Sequence, residues 1–240
     1  MFRFFRQIRQ HLLSDNKFSK YLLYAIGEVI LVMIGILLAL QVNNWNETKR
    51  TRRLERSTLI EISNALQADH VQLESWISIK QLQDSNITRI LDYLQDKAPY
   101  TEELDNSWQS GFLRPVYSFN TSPYELLKSR GFEIIENDSL RKDLQYHYDI
   151  SIPNMIDYLD RNYELMSSFR SEYLSHFHKK PKGLLGRFAP SNMEALRSEE
   201  ILNGLSVLGF WHEHSQEWLG NLKKETEKLN AGILEYLKTR

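Results

Sequence analysis

Residues 21–42 read YLLYAIGEVILVMIGILLALQV, and Glu28 is the one charged side chain in this run. A helix needs roughly 20 mainly apolar residues to cross the hydrocarbon core of a membrane. A cleavable signal peptide has a shorter apolar core, roughly 7–15 residues, and ends in an A-x-A-like site, which does not follow here. The run therefore predicts an uncleaved signal anchor: one transmembrane helix within residues 17–45.

The predicted span carries features typical of helix association. Gly27, Gly35 and Ala39 recur at spacings of four and eight residues, so they form a small-residue face that lets two membrane helices pack closely. Glu28 lies beside that face, and an acid within a membrane usually faces protein or water. We hypothesise that these four residues mediate transmembrane association; a lone span that faces lipid is the alternative. Trp45 occupies the position of an interfacial aromatic anchor.

The segment before the span is basic and amphipathic. Residues 2–13 read FRFFRQIRQHLL, with arginines between the apolar residues. The apolar residues recur at helical spacing: Phe2, Phe5, Ile8 and Leu12. Residues 1–16 are therefore predicted to form an amphipathic helix in the membrane interface, which is compatible with the plain basic flank of a signal anchor.

The orientation of the span rests on its flanks. Lys and Arg are equally numerous on both sides: Arg3, Arg6, Arg9, Lys17 and Lys20 before it, and Lys49, Arg50, Arg52, Arg53 and Arg56 after it. This tie gives no direction by charge alone. A short basic segment crosses a membrane less readily than a long C-terminal domain, which translocates largely regardless of charge. We therefore expect the inner (cytoplasmic) membrane, with the main domain in the periplasm.

Composition limits the classes of partner and chemistry. The 240 residues include no cysteine, which excludes disulfides, thiolate metal sites and cysteine nucleophiles. Residues 1–56 carry ten Lys or Arg against four Asp or Glu, whereas residues 57–240 carry 20 against 27. A basic membrane-proximal part suits anionic lipid headgroups. A mildly acidic main domain lacks the basic face of a nucleic-acid-binding protein, so we expect the bilayer as a partner and no nucleic acid.

Residues 46–240 are predicted to form a helical bundle, because mainly apolar residues recur there every three or four positions. The first row has the spacing of a coiled-coil seam: Leu59, Ile62, Leu66, Asp69, Leu73, Trp76, Lys80, Gln83, Ile87, Ile90 and Leu94. The last row is Ile201, Leu205, Leu208, His212, Ser215, Leu219, Leu222, Thr226, Leu229, Ile233 and Tyr236. The predicted class is all-α: about three long helices, antiparallel or mixed, plus short ones.

Capping and breaking residues predict the helix boundaries. Ser122 is expected to cap a short helix with Pro123 at its first position, and Gly131 to end it. A long helix is expected from residues 137–139 to about residue 177, with a kink near 150–153 at Pro153. The last helix should begin at about Met193 or Ser198. Residues 178–192 contain two Pro and two Gly, so they are predicted to be a loop, and no strand pair is expected.

Polar side chains interrupt both rows: Asp69, Lys80 and Gln83 in the first, and His212 and Ser215 in the last. Buried polar groups must be paired. These residues therefore either set the register of the bundle through polar pairs or line a pocket for a small ligand. Asp69, Lys80 and His212 are the candidate polar site.

No pattern in the chain predicts catalysis or metal binding. His212 and His214 lie about 200° apart around a helix, so they cannot chelate one metal ion. Neither H-E-x-x-H, G-x-S-x-G nor a P-loop occurs. We therefore expect no catalytic residue, no metal ligand and no cofactor.

Two stretches carry a resemblance to a known family. Residues 4–47 read FFRQIRQHLLSDNKFSKYLLYAIGEVILVMIGILLALQVNNWNE, and residues 119–149 read FNTSPYELLKSRGFEIIENDSLRKDLQYHYD. Both resemble an uncharacterised family of single-span membrane proteins common in Bacteroidota, and the resemblance extends over essentially the whole chain. It implies a membrane-anchored helical protein and brings no assigned activity. Glu28 and Trp45 would be family features without a known role.

The sequence supports three functional hypotheses. The first is a non-enzymatic interaction or scaffold module that forms homo-oligomers or docks onto a membrane protein through its span. The second is a ligand-sensing bundle outside the cytoplasm. A polar cavity lined by Asp69, Lys80 and His212 would favour it, and a dry core would oppose it. Its cytoplasmic part of about 20 residues is too short for an output domain, so signalling would need a partner. The third, an enzyme, would need titratable groups that converge in a cleft.

Overall fold

The computed structural model describes residues 18–180 and 187–239. The predicted interfacial helix of residues 1–16 lies outside the described residues. Internal contacts divide the chain into two compact units, Met1–Leu54 and Glu55–Arg240. The structure is all-α in class, as predicted.

The first unit contains an apolar helical stretch. Helix α1 runs from Phe18 to Leu94, and the boundary between the two units falls within it. In the described part of the chain, α1 is the one helix long and apolar enough to cross a membrane, and its mean hydropathy reaches 2.4 over 18 residues. None of that window is buried in protein, so its apolar side chains are exposed.

The second unit continues α1 and adds seven helices within the described ranges. They are α2 Glu102–Ser107, α3 Ser122–Arg130, α4 Asp138–Tyr146, α5 Ile152–Leu165, α6 Ser167–Ser175, α7 Met193–Leu196 and α8 Glu199–Lys238. Single 3₁₀ turns lie at Ser110–Phe112 and Phe132–Ile134, and a π-helical turn lies at His147–Ser151. Strands β1, Phe177–Lys180, and β2, Arg187–Pro190, pair antiparallel.

The long helices α1 and α8 run antiparallel within the second unit. Ser63 Oγ donates to Asn230 Oδ1 at 2.6 Å, and Lys223 Nζ donates to Glu74 Oε1 at 2.7 Å. Residues with increasing numbers along α1 therefore contact residues with decreasing numbers along α8. Helix α5 completes this layer of packing, because its residues join α1 and α8 in one apolar cluster: Leu73, Trp76, Met155, Leu159, Leu219 and Leu222.

Both predicted rows are buried, which confirms the helical period read from the sequence. Every member of the first row is buried except Lys80, and every member of the last row is buried except Tyr236. Full burial of one Leu or Ile side chain is worth about 1.5–3 kcal/mol. The two rows are therefore the main source of cohesion between α1 and α8.

The predicted helix ends are largely correct. The side chains of Asn137 and Ser198 accept hydrogen bonds from backbone N–H groups in the first turns of α4 and α8. Gly131 ends α3 with a φ of 101°, a conformation that favours glycine. The prediction of Ser122 as the cap is wrong by one residue, because Thr121 precedes the first helical residue. Proline is tolerated throughout the first turn, where its missing N–H has no intrahelical partner, so Pro123 does not fix the start to one position.

The predicted long middle helix is interrupted twice. The expected irregularity at Pro153 takes the form of the π-helical turn, in which the Ile152 N–H bonds to the carbonyl of His147. A second break at Met166, with φ −88° and ψ 3°, separates α5 from α6 and contradicts the single helix up to residue 177. Nothing in the apolar spacing marks this break, because apolar residues continue on both sides of it.

The prediction of a loop without strands over residues 178–192 is also wrong. Phe177 pairs with Pro190 and Lys179 pairs with Phe188 in a two-stranded ladder. Four residues per strand are too few to show the alternation by which a strand is recognised in a sequence. The helices carry the core, so the hairpin does not alter the class.

Candidate functional site

Polar side chains of α1 and α8 form hydrogen bonds with the segment between α2 and α3. Gln83 Nε2 donates to the carbonyl oxygens of Ser110 at 3.0 Å and Leu113 at 2.6 Å. One turn further along α1, Asn86 Nδ2 donates to Ser110 Oγ at 2.7 Å. A connecting segment that is packed on a core needs such partners for its backbone groups. The amide side chains of α1 therefore fix the 3₁₀ turn Ser110–Phe112 against the bundle.

His212 holds the same turn from α8. Its Nε2 lies 2.8 Å from the carbonyl oxygen of Gly111, which makes Nε2 the protonated nitrogen. The other ring nitrogen, Nδ1, lies 3.5 Å from Lys80 Nζ and accepts from it. A Cβ atom on Gly111 would come within 2.5 Å of Ile87 Cδ1, so the glycine permits this close approach.

Asp69 is placed elsewhere on α1. Its Oδ1 accepts the backbone N–H of Asn120 at 2.9 Å, which holds the far end of the same segment. Asp69 and Lys80 are eleven residues apart on one helix, about 16 Å along its axis. Of the three residues in the candidate polar site, the structure brings together Lys80 and His212 and leaves Asp69 apart.

Lys80 and His212 line a cleft in the second unit. The cleft has a cavity volume of about 40 Å³ and opens to solvent. Its walls come from four helices, α1, α5, α6 and α8, and from the segment that follows α2. Its apolar lining includes Phe112, Leu159, Met166, Leu208 and Trp211. Its polar lining includes Lys80, Arg114, Asn162, Tyr163, Arg170 and His212. A mainly apolar cleft with a few convergent polar groups is the usual form of a small-molecule site.

Burial controls the charge states of Lys80 and His212, which form the inner wall of the cleft. Removal from water lowers the pKa of Lys80 to about 8, so its ammonium stays mostly charged at pH 7. Burial, and next the charge of Lys80, lower the pKa of His212 to about 3. The imidazole is therefore neutral at pH 7 and can accept from the ammonium. In the described ranges, no carboxylate lies within ion-pair distance of Lys80.

Two arginines and a tyrosine form the mouth of the cleft. The guanidinium carbons of Arg114 and Arg170 lie 5.2 Å and 4.4 Å from the ring centroid of Tyr163. Both distances are in the range of a cation–π contact. Arg114 also forms an ion pair with Asp160. The mouth therefore carries two cations on one aromatic ring, with one acid beside them.

A further donor in the cleft lining belongs to Asn162. This residue is 9% exposed, and its amide interacts with the side chain of Tyr158. Among the described residues its Nδ2 makes no well-formed hydrogen bond. An amide has two N–H groups, so a ligand with an acceptor oxygen at this point of the lining could accept from Asn162 as well.

The sequence did not indicate Arg114, Asn162, Tyr163 or Arg170. Arg114 lies on an irregular segment, and the other three lie on α5 and α6 without a motif that links them. The one available signal was the polar interruption of the rows at Lys80 and His212. That signal identifies the inner wall of the cleft and not its mouth.

The predicted association residues lie in the first unit. A Cβ atom built on Gly27 or Gly35 would meet no other atom within 4 Å. Ala39 is exposed, and Trp45 is 63% exposed with the Lys49 ammonium 5.3 Å from its ring centroid. This face of α1 is thus uncovered by the described remainder of the first unit.

The titratable groups of the cleft suit binding better than proton transfer. A lysine with a lowered pKa can serve as a base or nucleophile. His212, however, is too weak a base to assist it, and no carboxylate adjoins Lys80 in the described chain. Among the described residues, no group of three His, Asp or Glu side chains could hold a metal ion.

Comparison with known proteins bears on about a third of the chain. Residues 28–109 match the model of a family of unknown function, DUF6090. The match begins in the apolar stretch of α1 and ends after α2, so it includes Lys80 and Gln83 but not the mouth of the cleft. No curated protein and no solved structure matches the chain.

Proposed function

We propose that this protein is a membrane-anchored helical module that binds a small molecule in the cleft of its bundle. The cleft carries the proposal, because it is open, mainly apolar and lined by polar groups with unused hydrogen-bonding capacity. His212 is the one hydrogen-bond partner that the described structure gives Lys80, and the ammonium of Lys80 has three N–H donors. In this proposal α1 anchors the bundle in the inner membrane with the bundle in the periplasm, and the module binds its ligand without chemical conversion.

Thiol accessibility tests the cleft directly. The chain contains no cysteine, so one introduced thiol is the only target for a maleimide. Met166→Cys places it in the cleft lining, Leu165→Cys places it on a surface position that is 62% exposed, and Leu219→Cys places it in the core at 0% exposure. In full-length protein in lipid nanodiscs, we expect N-ethylmaleimide to modify the first two variants rapidly and the third only on unfolding.

Protection by ligands completes the test. A library of water-soluble fragments should include members that slow the reaction of the Met166→Cys variant without slowing that of the Leu165→Cys variant. A Met166→Cys thiol as unreactive as that of Leu219→Cys would refute an open cleft. Full reactivity without protection by any fragment would refute a binding site there.

A second role is favoured by the open face of the span. We propose that α1 also associates within the membrane, with itself or with another membrane protein, through Gly27, Glu28, Gly35 and Ala39. Small residues let helix backbones approach closely. The open space outside both glycines supports this role.

Crosslinking in native membranes tests this association. We expect a crosslinked oligomer or heterocomplex whose yield falls several-fold in Gly35→Leu, because the leucine side chain separates the two helix backbones. Gly232→Leu is the matched control, since a Cβ there also meets no atom within 4 Å and the residue lies in α8, outside the span. Equal yields in both variants, or a monomer throughout, would contradict the proposal.

A further inference from the structure

The cleft has an excess of positive charge. Lys80 lies at its inner wall, and Arg114 and Arg170 lie at its mouth. Asp160 pairs with Arg114, which leaves Lys80 and Arg170 without a carboxylate partner among the described residues. Asp84 lies one turn from Lys80 on α1, but no ion pair joins the two.

The position of Lys80 makes this excess costly to the protein. Its side chain is largely buried, and its one hydrogen-bond partner in the described structure is the neutral ring of His212 at 3.5 Å. A lysine ammonium has three N–H donors, so two of them have no acceptor among the described residues. Buried charges in proteins are normally paired, because an isolated ion loses its hydration without compensation. An unpaired ammonium beside an open cleft is the arrangement expected where the counter-charge belongs to a ligand.

The other lining groups match the remaining parts of such a ligand. Asn162 offers an amide N–H to an acceptor oxygen, and the guanidinium groups on Tyr163 can donate to the same charged group or to its neighbour. Phe112, Leu159 and Trp211 offer apolar surface. A bare inorganic anion would leave that surface in contact with water, whereas an organic anion would cover it.

We propose that the ligand of this cleft is a small organic anion, whose charged group binds Lys80 and whose apolar body contacts the aromatic lining. This inference rests on the proposed binding function and adds the sign of the ligand's charge. Lys80 supplies the counter-charge, Asn162 supplies a neutral donor, and Arg170 attracts the anion at the mouth. His212 keeps the ammonium directed into the cleft through its Nδ1 atom.

Two thiol reagents of opposite charge test the sign of the charge that the cleft prefers. Sulfonatoethyl methanethiosulfonate and trimethylammonioethyl methanethiosulfonate have similar length and form the same mixed disulfide bond with release of methanesulfinate. On the Met166→Cys variant, we expect the anionic reagent to react at least about tenfold faster than the cationic one, because clefts lined by one sign of charge concentrate counter-ions. On the exposed Leu165→Cys variant, the ratio of the two rates should be close to that of a free thiol.

The role of Lys80 is tested in the same background. Adding Lys80→Met to Met166→Cys should lower the ratio of rates at least about threefold towards the Leu165→Cys ratio, and Arg170 accounts for the preference that remains. Using a ratio cancels any effect of the local field on the thiol pKa, which changes both rates equally. Leu113→Cys, which also lines the cleft, serves as a second reporter if Met166→Cys does not fold.

The outcomes separate this inference from the proposed function. Rapid reaction with both reagents at equal rates, or faster reaction with the cationic reagent, would overturn the inference that the ligand is an anion. The proposal of an open cleft would still stand. An anion preference that Lys80→Met leaves unchanged would overturn the assignment of Lys80 as the counter-charge. No reaction at either cleft position would overturn the proposed function itself.

Discussion

Lys80→Met is expected to raise the free energy of unfolding by about 2–3 kcal/mol at pH 7. Burial lowers the pKa of Lys80 from 10.5 to about 8, so the folded state holds this proton less tightly than the unfolded state does. Each pKa unit corresponds to about 1.36 kcal/mol. Below pH 8 the folded protein bears the whole cost of the buried charge, which methionine does not have. Loss of the contact with His212 offsets part of the gain.

The pH dependence of the unfolding free energy provides a second test of this prediction. Because the folded pKa is the lower one, the contribution of Lys80 to stability should rise between about pH 8 and 10.5 as Lys80 loses its proton in the folded state. The advantage of Lys80→Met over the wild type should therefore shrink to about 1 kcal/mol at pH 9.5. Urea titrations at pH 7 and pH 9.5 measure both values.

Lys228→Met is the matched control for Lys80→Met. Lys228 is exposed on α8, so its replacement should change stability by less than about 0.5 kcal/mol at either pH. A Lys80→Met variant less stable than the wild type at pH 7 would mean that the ammonium is well solvated or paired. A gain in stability together with loss of the anion preference would be typical of a functional site, where a costly group is kept for binding.

The sequence was sufficient to predict the helices because apolar spacing reports burial directly. The rows from Leu59 to Leu94 and from Ile201 to Ile233 are buried almost without exception. Their polar members were also recognised as exceptions. The spacing could not show where each of these polar side chains points, because their directions depend on the register between α1 and α8. Lys80 and His212 are 132 residues apart, and only the antiparallel packing brings them together.

The mouth of the cleft was beyond prediction for a different reason. Arg114 lies on a segment without periodicity. The path of this segment is fixed because its carbonyl groups accept hydrogen bonds from Gln83 and His212 and the N–H of Asn120 donates to Asp69. Backbone partners leave no pattern in the sequence, because any residue could supply the carbonyl or the N–H. The sequence allows two interpretations of the buried polar side chains, a polar pair that sets the register and a pocket. The structure gives the polar residues mostly backbone partners and places a cleft beside them.

His212→Gln is expected to reduce the loss of stability in acid. Burial and the charge of Lys80 lower the pKa of His212 from 6.5 to about 3, so the unfolded chain binds a proton below pH 6.5 that the folded protein does not. Stability is therefore lost as pH falls, by about 2 kcal/mol between pH 6.5 and 4.5 from this residue alone. Glutamine has no such proton, and its Nε2 can still donate to the carbonyl of Gly111.

The comparison that isolates this effect is the difference between the two acid profiles of unfolding free energy. Other histidines and carboxylates contribute equally to both proteins, so the wild type should fall about 2 kcal/mol further than His212→Gln over that interval. His214→Gln, two residues along α8 at a partly exposed position, should keep the wild-type slope. Lys80→Met should flatten the slope in part, because the lysine charge is the second cause of the low pKa after burial. Parallel profiles for the wild type and His212→Gln would show that water solvates the inner wall of the cleft, and they would remove the basis for an unpaired ammonium at Lys80 as well.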